Sequence, residues 1–456
     1  MVFSHGAAML FQRFRGKTSI PALALAACLY VASAAQAAAI TLLRDPDIEH
    51  ALLQLSAPIL TAAGLSPRRV RVVLVDDSSL NAFVIDHRTI FIHRGLVLKV
   101  DSARELQAVI AHEAAHIANG HIARRMANFR SASTAAGLGM ALAVAAAAAG
   151  GGQAAAGIGL AAQSAAQRSF LAHTRAEESS ADQSAAQFLR RAGISPRGLL
   201  EVQQIFRGQE ALNVSRQDPY IQSHPLTRDR IRAAEAFVAG YGDEAAPRPN
   251  DDYWFARARG KLSAFTRSPK WTERRVSSET FKDVRLMREA VAAHRERDLA
   301  RARQKIDAAI ALRPKDGYYY DLKGQILLES RRATEAIAAY RTASELAPGE
   351  PLILGGYGRA LLANKQYRPA LEQLERARAR DFRDTRVLRD MSIAYAQLGQ
   401  TGMASVVTAE RYALQGRLSD AGIHAQRAMR QLPQGSPPWQ RAQDVFIAAE
   451  KAEKKR

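Results

Sequence analysis

Residues 112–116 read His112-Glu113-Ala114-Ala115-His116. They lie in a run, Glu105–Ala127, whose apolar residues Leu106, Val109, Ile110, Ile117 and Ile122 recur at helical spacing. On a helix, positions four apart sit one turn apart on one face. Two imidazoles can then reach one divalent ion, with Glu113 beside the first of them. This is the H-E-x-x-H pattern of zinc peptidases. The competing reading is a pair of polar residues on a solvated face. The small and apolar neighbours, Ala114, Ala115, Ile110 and Ile117, speak against it. Two histidines and a glutamate in a buried helix need a partner.

A zinc ion needs a third protein ligand and keeps a fourth position open. The metzincin spacing would put Gly at 119 and His at 122, where the chain has Asn119 and Ile122. Gly120 and His121 fall one place off. His121 is about 140° round a straight helix from His116, so it is expected to point elsewhere. Two candidates remain. Glu178 opens Glu178-Ser179-Ser180-Ala181-Asp182, whose two carboxylates share a helix face. With Glu178 on the metal, Asp182 would accept the outward N–H of a ligand histidine. His224 lies in Ser223-His224-Pro225-Leu226-Thr227-Arg228-Asp229-Arg230. The single cysteine, Cys28, excludes a thiolate cluster and an intrachain disulfide.

Around this helix, residues 38–245 mix elements. Ile48–Leu60 has a helical pattern, and Val70–Val75 and Thr89–His93 read as β-branched strands. Residues 131–167 are Ala/Gly-rich without a single charge, read equally as a helical hairpin, with possible peripheral membrane contact, or as a loop. Residues 246–280 carry Pro, Gly and charge without periodicity and read as a linker. Residues 281–450 are helical and repeat every 34 positions. Tyr320, Gly324, Leu327, Ala336, Tyr340, Ala343 and Pro348 map one period on to Leu354, Gly358, Leu361, Ala370, Leu374, Ala377 and Phe382. One period back they map to Leu286, Ala290, Ala293, Ala302, Ile306, Ala309 and Pro314. Small residues recur where paired helices cross, which is the tetratricopeptide pattern. Near the end the register slips by half a period at Gly416, Ala421, Ala428 and Pro433. The expected fold is mostly α with a small β-sheet: an α+β zincin-type peptidase domain followed by an all-α tetratricopeptide solenoid.

A chain of 456 residues holds two or three domains. With 47% hydrophobic and 24% charged residues it is neither disordered nor a polytopic membrane protein. The formal net charge is +20, most of it after residue 250. No C2H2, RRM or P-loop pattern points to nucleic acid, so the basic half is read as a solvated helical surface. At the start, Arg13, Arg15 and Lys17 precede an apolar run from Ile20 to Ala35, and Ala35-Gln36-Ala37 is an A-x-A site. Residues 1–37 therefore read as a secretory signal peptide, with lipidation at Cys28 disfavoured by the apolar residues that follow it. The expected compartment is the periplasm.

The HEAAH helix, the ESSAD segment and the SHPLT segment together resemble the HtpX/BepA-type zinc metallopeptidases, secreted members of which carry a C-terminal tetratricopeptide domain. The resemblance spans nearly the whole mature chain. It implies one Zn²⁺ per chain on His112, His116 and Glu178, with Glu113 as general base and Asp182 holding a ligand histidine. It implies that Asn81-Ala82-Phe83 belongs to the edge strand along which substrate lies. It implies that His224 can cover the metal as a self-inhibiting fourth ligand; His224 and Arg228 are also candidates for stabilising the oxyanion. The function it implies is an endopeptidase for unfolded or stalled envelope polypeptides, with the repeats docking substrate or an outer-membrane assembly complex. The alternative is a chaperone or scaffold with a masked peptidase site.

Overall fold

The computed structural model describes residues 41–124, 127, 175–212, 216–241 and 248–454. The signal peptide expected at 1–37, Cys28 and the uncharged stretch 131–167 lie outside them. Among the described residues, no helix is long and apolar enough to cross a membrane.

Four strands form one sheet: β1 (Leu42–Leu43), β2 (Arg71–Val75), β3 (Ala82–Val84) and β4 (Thr89–His93). Their order is β1-β2-β4-β3. β2 and β4 are parallel, with Val73 opposite Phe91, whereas β1 and β3 pair antiparallel to their neighbours. β3 is thus an edge. Helix α1 (Pro46–Ala62) buries Ile48, Ala51, Leu52, Leu55 and Ile59, a stripe at intervals of three and four. It packs on β2 and on α3 (Ala103–Ala118), which follows the short helix α2 (Arg94–Lys99).

α3 carries the HEAAH sequence and begins with a capping box. The Ser102 hydroxyl accepts from the Glu105 N–H, and the Glu105 carboxylate accepts from the Asp101 N–H and the Ser102 hydroxyl. The helix is buried on almost every side. α4 (Arg175–Arg191) and α5 (Arg197–Ile205) pack against it. α5 comes so close that a Cβ at Gly198 would meet the Arg104 carbonyl oxygen at 2.4 Å. α6 (Pro219–Ser223) and α7 (Arg228–Tyr241) complete this part.

The stretch expected as a linker is helical instead: α8 (Pro249–Thr266) and α9 (Pro269–Arg275). α8 packs on α1 and on the first repeat helix, Lys282–Arg295. Its apolar periodicity is hidden because part of the buried face is charged. Arg257 and Lys261 are 1% and 0% exposed. Arg257 donates to Asp47 at 2.6 Å and to both Asp316 oxygens, and its guanidinium lies 4.2 Å over the Tyr319 ring. Lys261 donates to Asp45 at 2.9 Å. Asp45 is also the N-cap of α1. Arg44 reaches Asp381 at 2.9 Å, tying the start of the peptidase part to a later repeat.

The repeats are helix pairs, beginning Lys282–Arg295 with Leu299–Leu312, Gly317–Glu329 with Ala333–Leu346, and Pro351–Ala363 with Tyr367–Arg380. A Cβ on Gly324 would meet the Tyr340 ring at 2.7 Å, and one on Gly358 would meet Leu374 at 2.6 Å. The small residue of each pair is therefore the seat of the large one. Where the sequence register slips, the helices continue as Thr401–Leu414, Leu418–Gln431 and Pro437–Glu453.

Asp321, on the inner face of the second pair, is 5% exposed. Burial raises its pKa, Lys261 opposes this, and Asp45, Asp47 and Glu350 add to the rise, so the carboxyl is pushed up to about 8. An acid whose pKa is higher folded than unfolded favours the folded chain most at low pH. That contribution is lost as pH climbs from about 4 through about 8. Asp321→Asn removes it, so the melting temperature of the variant minus that of wild type is expected to widen from pH 5 to pH 8 and level off above. Thermal melts across that range check this.

Candidate metal centre

The two histidines of α3, Glu178 of α4 and His224 beyond α6 converge, although they are distant in sequence. One donor atom from each of His112, His116, Glu178 and His224 lies within 4.8 Å of the others, and all four residues are buried. His112 Nε2 is 3.1 Å from His116 Nε2 and 3.2 Å from His224 Nδ1. Glu178 oxygens are 3.3 Å from His112 Nε2, 3.3 Å from His116 Nε2 and 3.1 Å from His224 Nδ1. Four donors at about 2 Å from a tetrahedral zinc ion stand about 3.3 Å apart. The donor set, imidazole and carboxylate, also suits zinc. The residues fit the ion on both counts.

α4 presents Glu178 and Asp182 from one face, buries the small residues Ala181, Ala185 and Ala186, and packs on α3. The end of α3 is tied to α4 through Asn119, whose amide donates to the Ser180 and Ser184 hydroxyls at 3.2 and 3.0 Å. Asp182 sits behind the cluster, its Oδ1 2.9 Å from His112 Nδ1. The groups set one another's protonation. Burial opposes charge on His112, but Glu178 and Asp182 outweigh it and lift the imidazole to about 10. His116, buried beside His112, is pushed down to about 3. Burial works against the Glu178 carboxylate, yet His224 and His112 hold its pKa well below the ordinary value.

Two further residues complete the site that the sequence reading did not assign. Arg230, 5% exposed, grips Asp182 through Nε at 2.6 Å and Nη2 at 3.0 Å, and reaches Glu178 through Nη1 at 2.9 Å. Nη1 also donates to the Pro225 carbonyl at 2.9 Å. Arg228, two positions earlier on the same helix, is exposed and lines a separate cleft with Gln204, Arg207 and Glu235. Two residues rotate a helix by about 200°, so only one of the two arginines can face inward. The second residue is His121. It does not point elsewhere: its Nδ1 is 2.9 Å from His116 Nδ1. The chain turns at Gly120, φ +69°, which defeats the straight-helix estimate.

The edge strand and the His224 segment meet. His224 Nε2 donates to the Ala82 carbonyl at 3.3 Å, and the Tyr220 N–H donates to the Leu80 carbonyl at 3.1 Å. The Ser223 hydroxyl donates to Asn81 Oδ1 at 3.4 Å. Phe83, in β3, stacks on Phe91. His224 Nε2 is also 3.4 Å from Glu113. With Nε2 donating to a carbonyl, a neutral His224 presents the lone pair of Nδ1 to the other three donors.

Residues 43–238 match peptidase family M48, and residues 327–391 match a tetratricopeptide repeat. A beta-barrel assembly-enhancing protease of Yersinia pestis is 24% identical over 391 residues, 83% of this chain and 79% of its own. The protein of the same name in Escherichia coli K12 is 25% identical over 401 residues, 87% of this chain and 81% of its own. A putative beta-barrel assembly-enhancing protease of Vibrio cholerae is 27% identical over 221 residues, 48% of this chain and 44% of its own.

Arg230 is the cation that balances two buried carboxylates. Removing one partner of a buried ionic network costs roughly 3–5 kcal/mol. Arg230→Met is therefore expected to lower the stability of the metal-free protein by about that amount, measured by urea denaturation against wild type. An Arg228→Met control, at an exposed position, is expected to change it by less than about 0.5 kcal/mol.

Proposed function

We propose, from a chain in which a zinc metallopeptidase domain of family M48 is followed by tetratricopeptide repeats, that the protein is a periplasmic endopeptidase for misfolded or stalled outer-membrane polypeptides. The observation that carries the reading is the four-donor cluster lying against β3, an edge strand of the sheet. His112, His116 and Glu178 hold the ion in this reading, and Asp182 with Arg230 keeps His112 oriented. Zinc held there would bring the pKa of a water toward roughly 7 and polarise the scissile carbonyl. Glu113, beside His112, takes the proton of the attacking water and returns it to the leaving amine, a contribution of about 10²–10⁴-fold.

Substrate lies in this reading as an added strand along Asn81-Ala82-Phe83. Backbone pairing on an edge is loose in sequence preference. That suits unfolded chains rather than one fixed site. The repeats dock substrate or an outer-membrane assembly complex; the names of the relatives support that partner. Residues 1–37 direct export.

A second reading is favoured by one observation. His224 supplies a donor to the cluster and at the same time binds the Ala82 carbonyl. With a metal bound, His224 would cover it as a fourth ligand, and it blocks the strand edge. In that state the chain is a holding or scaffolding protein, and displacement of His224 turns on hydrolysis.

Metal analysis and a casein assay test both readings. Wild type is expected to carry one zinc per chain and Glu178→Ala to lose it. Glu113→Gln is expected to keep zinc and lose at least a hundredfold of any hydrolysis. His224→Ala is expected to hydrolyse unfolded casein several-fold faster than wild type. A metal-free wild type defeats the peptidase reading. A zinc-loaded His224→Ala chain that leaves casein intact favours the scaffold.

A further inference from the structure

We infer that His121 is the positioning residue of His116: it fixes the tautomer and ring plane of that ligand without adding charge to the centre. This rests on the zinc centre proposed above. An imidazole that binds a metal through one nitrogen carries its proton on the other, and what that second nitrogen meets sets the ring's orientation. For His112 the outward nitrogen meets a carboxylate, Asp182 Oδ1, at 2.9 Å. For His116 the outward nitrogen, Nδ1, meets His121 Nδ1 at 2.9 Å. The two rings stand edge on, 71° apart with centroids 5.0 Å apart, so an in-plane N–H of one can point at the in-plane lone pair of the other. His121 is 1% exposed.

The placement follows from the end of α3. Asn119 closes the helix and Gly120 takes the left-handed conformation. The following residue is thereby carried back toward His116, instead of standing the ~140° away that helix continuation would give.

The proton count is then determined. With His116 Nε2 turned to the ion, His116 Nδ1 is the donor and His121 Nδ1 the acceptor. The remaining proton of a neutral His121 is on Nε2. The two ligand imidazoles are thus oriented by unlike groups. Asp182 brings a charge and requires Arg230 to balance it. His121 brings none; among the described residues the buried carboxylates at the site are Glu178, Asp182 and Glu113.

Zinc affinity of the full chain, measured by competition with a chromogenic chelator, tests the inference independently of turnover. His121→Leu removes the acceptor and is expected to weaken zinc binding by roughly 10–100-fold, the usual effect of losing an outer hydrogen bond to a ligand. His121→Asn offers a carbonyl oxygen in place of Nδ1 and is expected to recover most of that loss. Equal affinity in wild type and His121→Leu overturns the inference, as does an equal loss in both variants, which marks a packing role. A readout that needs no variant is the ¹⁵N spectrum of histidine-labelled, zinc-loaded wild type. It is expected to show His121 as the Nε2–H tautomer; an Nδ1–H tautomer overturns the assignment. A wild type that takes up no zinc instead removes the underlying metal centre.

Discussion

Buried electron pairs set the terms for the rest of the molecule. His112, His116, Glu178 and His224 bring four donor atoms within 4.8 Å in a region closed to solvent. Donors so placed repel unless a cation or protons lie among them. The surrounding architecture answers that demand. Asp182 and Glu178 raise His112, His116 is kept neutral, and Arg230 compensates the two carboxylates. Two helices, α3 and α4, and the segment beyond α6 must hold their positions to within about half an ångström for such a set to serve a metal. That need accounts for the small residues at the α3–α4 contact and for Gly198 where α5 meets α3.

The same rule operates far from the site. α8 buries Arg257 and Lys261 against Asp45, Asp47 and Asp316, and so joins α1 to the repeats through ions as well as through Tyr253, Phe255, Ala258, Leu262 and Ala264. A hydropathy pattern cannot show such a face, because it scores the buried residues as polar. By sequence alone the stretch therefore reads as a linker. Its acidic partners come from residues 45–47 and 316, far along the chain, and local sequence carries no sign of them. The repeats were readable for the opposite reason. Each pair seats a large residue on a small one inside about sixteen positions, so Gly324 with Tyr340 and Gly358 with Leu374 are visible as a period. The turns within the pairs were not readable: Arg297, Arg331 and Lys365 adopt positive φ one period apart, where only the fourth equivalent, Gly399, announces it.

At the site the division is similar. HEAAH and ESSAD are i, i+4 arrangements on single helices, and spacing alone puts their side chains on one face. Which of two arginines in Arg228-Asp229-Arg230 turns inward depends on where α7 starts and what it packs on. His121 escapes such spacing because Gly120 breaks the helix on which the spacing depends. Sequence spacing thus recovers groups carried by one regular element. It loses those placed by a turn or by the meeting of two elements.

The contact between His224 and Ala82 joins two requirements of the proposed reaction. One ring nitrogen belongs to the donor cluster and the other holds a carbonyl of the edge strand. Tyr220 and Ser223 extend the same contact to Leu80 and Asn81. The segment therefore occupies two backbone carbonyls, those of Leu80 and Ala82, at the edge where an incoming strand would pair. A polypeptide that adds to β3 must displace the hydrogen bond that orients His224, and a ring released from Ala82 loses the tautomer lock that presents Nδ1 to the cluster. In the proposed reading, freeing the strand and withdrawing His224 from the donor cluster would then be one event. The binding free energy of an extended substrate is what drives it, and a folded protein without a free strand cannot supply that energy. In the proposed reading, selectivity for unfolded chains would follow from the masking itself, with no need for a pocket that reads their sequence.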